Sequence, residues 1–214
     1  MKKKPISIMI AVILPCLLMA LVETVIQPGY LVKSAVKLLA FSGSILLCGG
    51  LRAPLRREGF LPGLILGSLI YGIILGAFAL FRSFIDLRVI SEGLLGKEGV
   101  SRDNFLWVAL YISMVNSLLE ELLFRGVAYL ELRRYMPEHL AMIFSAAAFA
   151  AYHVAILSGW FTWQIYGLCL LGMFLGGLIF NLLDRQGSLF PSWLAHAGAN
   201  LAINTIGLMM FGLI

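Results

Sequence analysis

The chain alternates long apolar runs with short polar breaks. Runs at 6–26, 31–51, 61–82, 104–131, 139–158, 163–183 and 189–212 are each interrupted by charged residues, Pro or Gly. A helix crossing the hydrocarbon core needs about 20 consecutive apolar residues, so the pattern predicts an all-α, polytopic transmembrane helix bundle of about seven spans. The stretch from Ile6 to Ile26 follows Lys2, Lys3 and Lys4. It is too long for the apolar part of a signal peptide and long enough to span, so it reads as a retained first helix. Between the third and fourth runs, residues 83–103 mix Phe84, Ile85, Leu87, Val89, Ile90, Leu94 and Leu95 with Asp86, Arg88, Glu92, Lys97 and Glu98. That irregular mixture predicts a short amphipathic helix lying in the membrane interface. No internal repeat, low-complexity tract or linker divides the chain, so residues 1–214 read as a single membrane domain.

Composition agrees with the pattern. Of 214 residues, 61% are hydrophobic and 13% charged, against about a quarter charged in a soluble chain. The net charge of +5 sits in short clusters between the runs: Lys2–Lys4; Arg52, Arg56 and Arg57; Arg133 and Arg134; Arg185. This is the distribution of cytoplasmic loops, not a basic stripe interleaved with aromatics, and it argues against a nucleic-acid partner. It predicts an N-terminus inside, with the loops Arg52–Glu58, Arg133–His139 and Asp184–Ser188 on the cytoplasmic side and 83–103 outside. Lys33 and Lys37 fall near the outer face, where long side chains can snorkel to the interface. Cys16, Cys48 and Cys169 all lie within apolar runs and form neither a disulfide framework nor a zinc knuckle.

Ionisable residues at membrane depth carry the functional signal. The fourth run holds Glu120, Glu121 and Arg125, each costing about 2.5–3.5 kcal/mol near a helix centre if left unpaired. Glu121 and Arg125 are spaced to pair on one face, and Glu120, about 100° round the helix, addresses another neighbour. A satisfied buried network that only pins helix packing would use the same three residues. The fifth run holds His153, one turn after Phe149; the seventh holds His196 and Asn200, again one turn apart. At 1.5 Å per residue, Glu120 lies about 16 Å, His153 about 21 Å and His196 about 12 Å from the cytoplasmic ends of their helices. Helices running in different directions thus bring their polar groups to overlapping depths.

A carboxylate beside a neutral imidazole can take a proton from water and return it to a leaving amine. Arg125 would orient Glu121, and two adjacent carboxyls in different environments can divide a catalytic role from a supporting one. His196 and Asn200 could donate to a developing oxyanion. Glu120, His153 and His196 also match a zinc ligand set, although the HExxH spacing is absent, so the alternatives of no cofactor and zinc both stand at this point. Neither a GxSG serine with a later histidine nor a GxGD aspartate pair is present. A proton-coupled transporter would also use intramembrane Glu, His and Arg, but no inverted repeat or pair of broken helices supports one. A non-catalytic binding or immunity protein with a relic site is the other alternative.

Glu120-Glu121-x-x-x-Arg125, Phe149-x-x-x-His153 and His196-x-x-x-Asn200, in that order on successive apolar helices, resemble the CPBP family, the CAAX-protease and bacteriocin-processing group of intramembrane endopeptidases. The resemblance covers roughly residues 104–212; helices in 6–82 add only a general match in hydropathy. It implies a glutamate-dependent, metal-free hydrolase in which Glu120 and His153 activate water. Glu121 and Arg125 would support the site, and His196 and Asn200 would form the oxyanion hole. The implied partners are the bilayer and a membrane-anchored protein or peptide, with or without a lipid, cut near its terminus. The short loops suggest a prokaryotic protein of the cytoplasmic membrane. Gly167, Gly172, Gly176 and Gly177 on the sixth run would allow close helix packing, and Trp160, Trp163 and Tyr166 an interfacial aromatic belt.

Overall fold

A computed structural model gives the structure of residues 3–48 and 59–214. Lys2, the cluster Arg52, Arg56 and Arg57, the loop Arg52–Glu58 and the end of the expected span 31–51 lie outside the described residues. Among those described there is no strand. The helices are α1 (Lys4–Ile26), α2 (Tyr30–Leu47), α3 (Phe60–Phe81), the short α4 (Leu87–Gly93), α5 (Arg102–Arg134), α6 (Glu138–Leu157), α7 (Trp163–Gln186) and α8 (Phe190–Met210).

The breaks fall where the backbone demands them. Between α1 and α2, Gln27 adopts φ 47 and Pro28 has no N–H to continue the helix. Gly159 and Gly187, at φ 82 and 89, take the left-handed conformation that glycine adopts without steric cost. Helix α5 opens with a reciprocal cap between Ser101 and Asn104, which satisfies two backbone donors of its first turn.

Among the described residues six helices, α1, α2, α3, α5, α6 and α7, are long and apolar enough to cross a membrane. The seventh expected span forms α8, 21 residues long, and is kept out of that set by the polar residues it carries, among them His196, Asn200 and Asn204. The six helices turn large apolar side chains outward, among them Leu31, Leu39, Leu47, Leu80 and Leu168. Water would penalise such a surface, whereas lipid solvates it. The segment after α3 does form a short helix, α4, whose residues are not buried and which continues through Leu94–Glu98.

The turns sort to two ends. Arg133 donates to the Arg185 carbonyl (2.9 Å), Arg185 pairs with Glu138 (2.9 Å), and Lys4 lies over the Tyr135 ring (5.3 Å). The start of α1, the α5–α6 turn and the α7–α8 turn therefore share one end. Lys33 pairs with both Glu23 and Glu98 (2.6 Å each), which places the α1–α2 turn and the segment after α4 at the other. This alternation is the one the charge pattern predicts. Lys33 and Lys37 themselves correct it in detail. Both are only 5% exposed: Lys33 is neutralised by Glu23 and Glu98 at the end of the bundle, and Lys37 by Glu120 within it.

Helix α3 packs most closely on α8. A Cβ on Gly63 would come within 2.8 Å of the Pro191 backbone, and one on Gly67 would collide with the Leu194 carbonyl. Gly59, Gly63 and Gly67 recur every fourth residue, the spacing that lets two helices approach to backbone contact. In α7 only Gly177 meets a neighbour, Ala146 at 3.0 Å; Gly167, Gly172 and Gly176 face open space, so the expected packing role holds for Gly177 alone. Gly67→Leu is expected to force α3 from α8, at a cost above the roughly 1–3 kcal/mol of ordinary overpacking. Thermal unfolding of the purified variant checks this, with a melting temperature equal to that of the parent as the contrary result.

Candidate active site

Helix α5 presents its carboxylates from one α-helical turn, Ser117–Glu121, bracketed by π-helical stretches at Tyr111–Asn116 and Leu122–Glu131. Such widened turns shift the phase of the helix and recur at functional sites. Around them, Phe41, Phe124, Phe149 and Tyr152 pack edge to face and make the surroundings apolar.

Glu120, 2% exposed, is held by one oxygen and free at the other. Its Oε1 accepts from Lys37 Nζ and from Asn116 Nδ2 (2.9 Å). Lys37 also donates to Asn116 Oδ1 (2.5 Å), and its ammonium lies over the Tyr152 and Phe41 rings at 4.8 and 5.3 Å. Glu120 Oε2 has no hydrogen-bond partner among the described residues. It faces His196 Nε2 at 3.6 Å and His153 Nε2 at 3.9 Å, a spacing that one water can bridge.

Both imidazoles are held from behind. His153 Nδ1 lies 2.8 Å from the Phe149 carbonyl. A carbonyl only accepts, so Nδ1 carries a proton, and in the neutral ring the Nε2 lone pair is the one turned toward Glu120. His196 Nδ1 lies 2.7 Å from Glu121 Oε1, which fixes the same tautomer and would stabilise an imidazolium if one formed.

Glu121 and Arg125 are fully buried, with Arg125 Nε 3.2 Å from Glu121 Oε2. This is an ion pair whose angles fall short of a hydrogen bond, and Nη1 and Nη2 of Arg125 have no hydrogen-bond partner among the described residues. Aromatic faces take their place: the guanidinium carbon lies 4.3 Å from the Phe149 ring centre and 5.1 Å from that of Phe180. Gly177 leaves space beside it, since a Cβ there would stand 3.5 Å from Nη2.

Glu120, Glu121, Arg125, His153 and His196 thus meet in one cluster. Asn200 stands one turn along α8 from His196 and donates to the Ile112 carbonyl of α5 (3.2 Å). Its amide has a second N–H. Asn204 continues the seam to Ala109 O and Ser113 Oγ (3.2 and 3.0 Å), tying α8 to α5. Asp184 receives Ser192 N and Oγ (3.2 and 2.5 Å) and anchors the start of α8.

Sequence reasoning does not find Lys37 or Asn116. A signal exists: once Arg125 is assigned to Glu121, Glu120 lacks a cation, and Lys37 lies seven residues, about 10 Å, into α2. Among the described residues no three His, Cys, Asp or Glu side chains form a group that could hold a metal ion. Lys37 weighs against a metal at Glu120 chemically, since a divalent cation would sit beside an ammonium already bound to the same carboxylate.

Comparison with known proteins agrees with the motifs. Residues 102–202, which contain Glu120, Glu121, Arg125, His153, His196 and Asn200, match the family model described as Rce1-like, type II CAAX prenyl endopeptidase Rce1-like. No curated protein and no solved structure matches the chain. The apolar helices and the match together support an integral membrane protein, and residues 102–202, which build most of the site, are similar to the Rce1-like type II CAAX prenyl endopeptidases.

Proposed function

We propose that the protein is an intramembrane endopeptidase of the glutamic type, which cuts a membrane-anchored protein near its C-terminus without a metal. The observation that carries this is the pair of imidazole Nε2 atoms turned on the free Oε2 of Glu120 at 3.6 and 3.9 Å, inside an apolar bundle.

A water held between these groups would lose a proton to Glu120 Oε2 as its oxygen attacks the scissile carbonyl. The same carboxyl would then give the proton to the departing amine, so Glu120 ends the cycle ionised. His153, held by the Phe149 carbonyl, would accept a hydrogen bond from the water's other O–H and so aim its lone pair. Two carboxylates, Glu120 and Glu121, stand against two cations, Lys37 and Arg125. Were His196 to enter the cycle already protonated on both ring nitrogens and to keep both protons throughout, its positive charge would be offset by the oxyanion of the tetrahedral intermediate. Protonated His196 and the second N–H of Asn200 are the donors suited to that oxyanion, and removal of such a donor costs on the order of 10²–10³ in rate elsewhere. Glu121 would hold His196, and Arg125 would hold Glu121.

The bilayer is part of this reading. A substrate carrying a lipid near its C-terminus would present its peptide bond at membrane depth. The cationic end formed by Lys4, Arg133 and Arg185 would face the cytoplasm, as the positive-inside rule favours. The test is cleavage by purified protein of a prenylated C-terminal peptide and its unprenylated twin, read by product mass. Release of the C-terminal fragment, faster from the prenylated peptide, is the expected result. Equal cleavage of both would remove the lipid from the account, and no cleavage of either would remove the substrate class.

A further inference from the structure

The family match begins at residue 102, yet a side chain from α2 touches the central carboxylate. We infer that Lys37 is a positioning residue for Glu120, so that the N-terminal helix pair completes the active site. The inference rests on the assignment of Glu120 as the base. Three observations support it. Lys37 and Asn116 together occupy Oε1 of Glu120 and leave Oε2 as the oxygen that addresses His153 and His196. Lys37 is itself fixed, by Asn116 Oδ1 at 2.5 Å and by the Tyr152 and Phe41 rings, so its ammonium cannot follow the carboxylate if that rotates. One turn earlier on α2, Lys33 is bound to Glu23 on α1 and to Glu98; that contact fixes the depth of α2 against its neighbours.

A carboxylate free to turn would spend its time on either oxygen and would pair with no fixed direction. Holding one oxygen leaves the other aimed, and loss of such alignment costs about 10²-fold in rate for an error of 1 Å. Among its partners, Asn116, Glu120 and the Phe41 and Tyr152 rings, Lys37 counts neither imidazole, so it acts through Glu120.

The experiment compares kcat, KM and melting temperature of wild type, Lys37→Met and Lys37→Arg on one membrane-anchored peptide. Lys37→Met is expected to lower kcat about 10²-fold while KM stays within about threefold, because remote substrate binding is untouched. Lys37→Arg, which keeps the charge, is expected to recover at least roughly tenfold of that loss. A wild-type kcat in Lys37→Met would overturn the inference, as would equal loss in both variants that tracks melting temperature. A thermal cycle of Lys37→Met with Glu120→Gln needs no substrate. Each single change leaves one charge buried without its partner, so the double variant is expected to melt higher than the two shifts added together. Additive shifts would overturn the pairing. Coupled melting together with no loss of cleavage in Glu120→Gln would instead sink the assignment of the base and leave the pairing standing.

Discussion

Arg125→Met is expected to lower the melting temperature by about 10 °C and to abolish cleavage at temperatures where the wild type is active. The change removes one partner of a fully buried ion pair and leaves Glu121 ionised in an apolar shell. Breaking such a pair costs on the order of 3–5 kcal/mol, and each kcal/mol moves the melting temperature by roughly 2–4 °C in a chain of this size. The aromatic faces of Phe149 and Phe180 that cover the guanidinium suit methionine in shape but cannot neutralise the carboxylate. The double variant Glu121→Gln/Arg125→Met removes both charges and is expected to melt near the wild type, since a buried pair can often be replaced by neutral groups at little cost. Its activity should stay low, because Glu121 Oε1 also holds His196 at 2.7 Å and an amide holds an imidazolium less well. Differential scanning fluorimetry and a cleavage assay on the same preparations separate the two effects. A double variant that is stable and fully active would deny Glu121 any part in the reaction.

Glu120→Gln is expected to reduce kcat by about 10³-fold, the middle of the range for loss of a general base, with KM little changed. An amide has nearly the shape of the carboxyl, and its oxygen still accepts from Lys37 and Asn116 on the Oε1 side. On the other side it offers no lone pair able to take a proton from water. Glu120→Ala goes further. It removes the acceptor as well as the charge and is expected to lower the melting temperature further than Glu120→Gln, which takes the countercharge from Lys37 but keeps an oxygen for it, so the Gln variant comes nearer to isolating the chemistry.

The spans were readable because hydropathy alone sets them. The expected 139–158 and 163–183 differ from α6 (Glu138–Leu157) and α7 (Trp163–Gln186) by a few residues. Depth arithmetic also brought Glu120, His153 and His196 to one level, since a straight rise of 1.5 Å per residue suffices to place a side chain along the membrane normal. What it cannot supply is rotation about each helix axis. Which oxygen of Glu120 meets which partner, and that Asn200 engages Ile112 while Asn204 reaches Ala109, depends on the π-helical phase of α5, for which the sequence carries no periodic mark. The place of Lys37 is hidden for a different reason. A lysine near a helix end can snorkel, and that rule treats each helix alone, whereas the partner that keeps Lys37 inside belongs to α5, 83 residues further along. The close seam of α3 on α8 was similarly hidden, because Gly63 and Gly67 have meaning only against Pro191 and Leu194.

The most direct measurement is the rate of hydrolysis of one membrane-anchored peptide by wild type and by Glu120→Gln, each assayed well below its own melting temperature, with and without a strong chelator. The account predicts that the wild type is indifferent to the chelator and that the folded variant falls to about a thousandth of its rate. A variant that cleaves as fast as the wild type, or a wild type silenced by the chelator and restored by zinc, would contradict it.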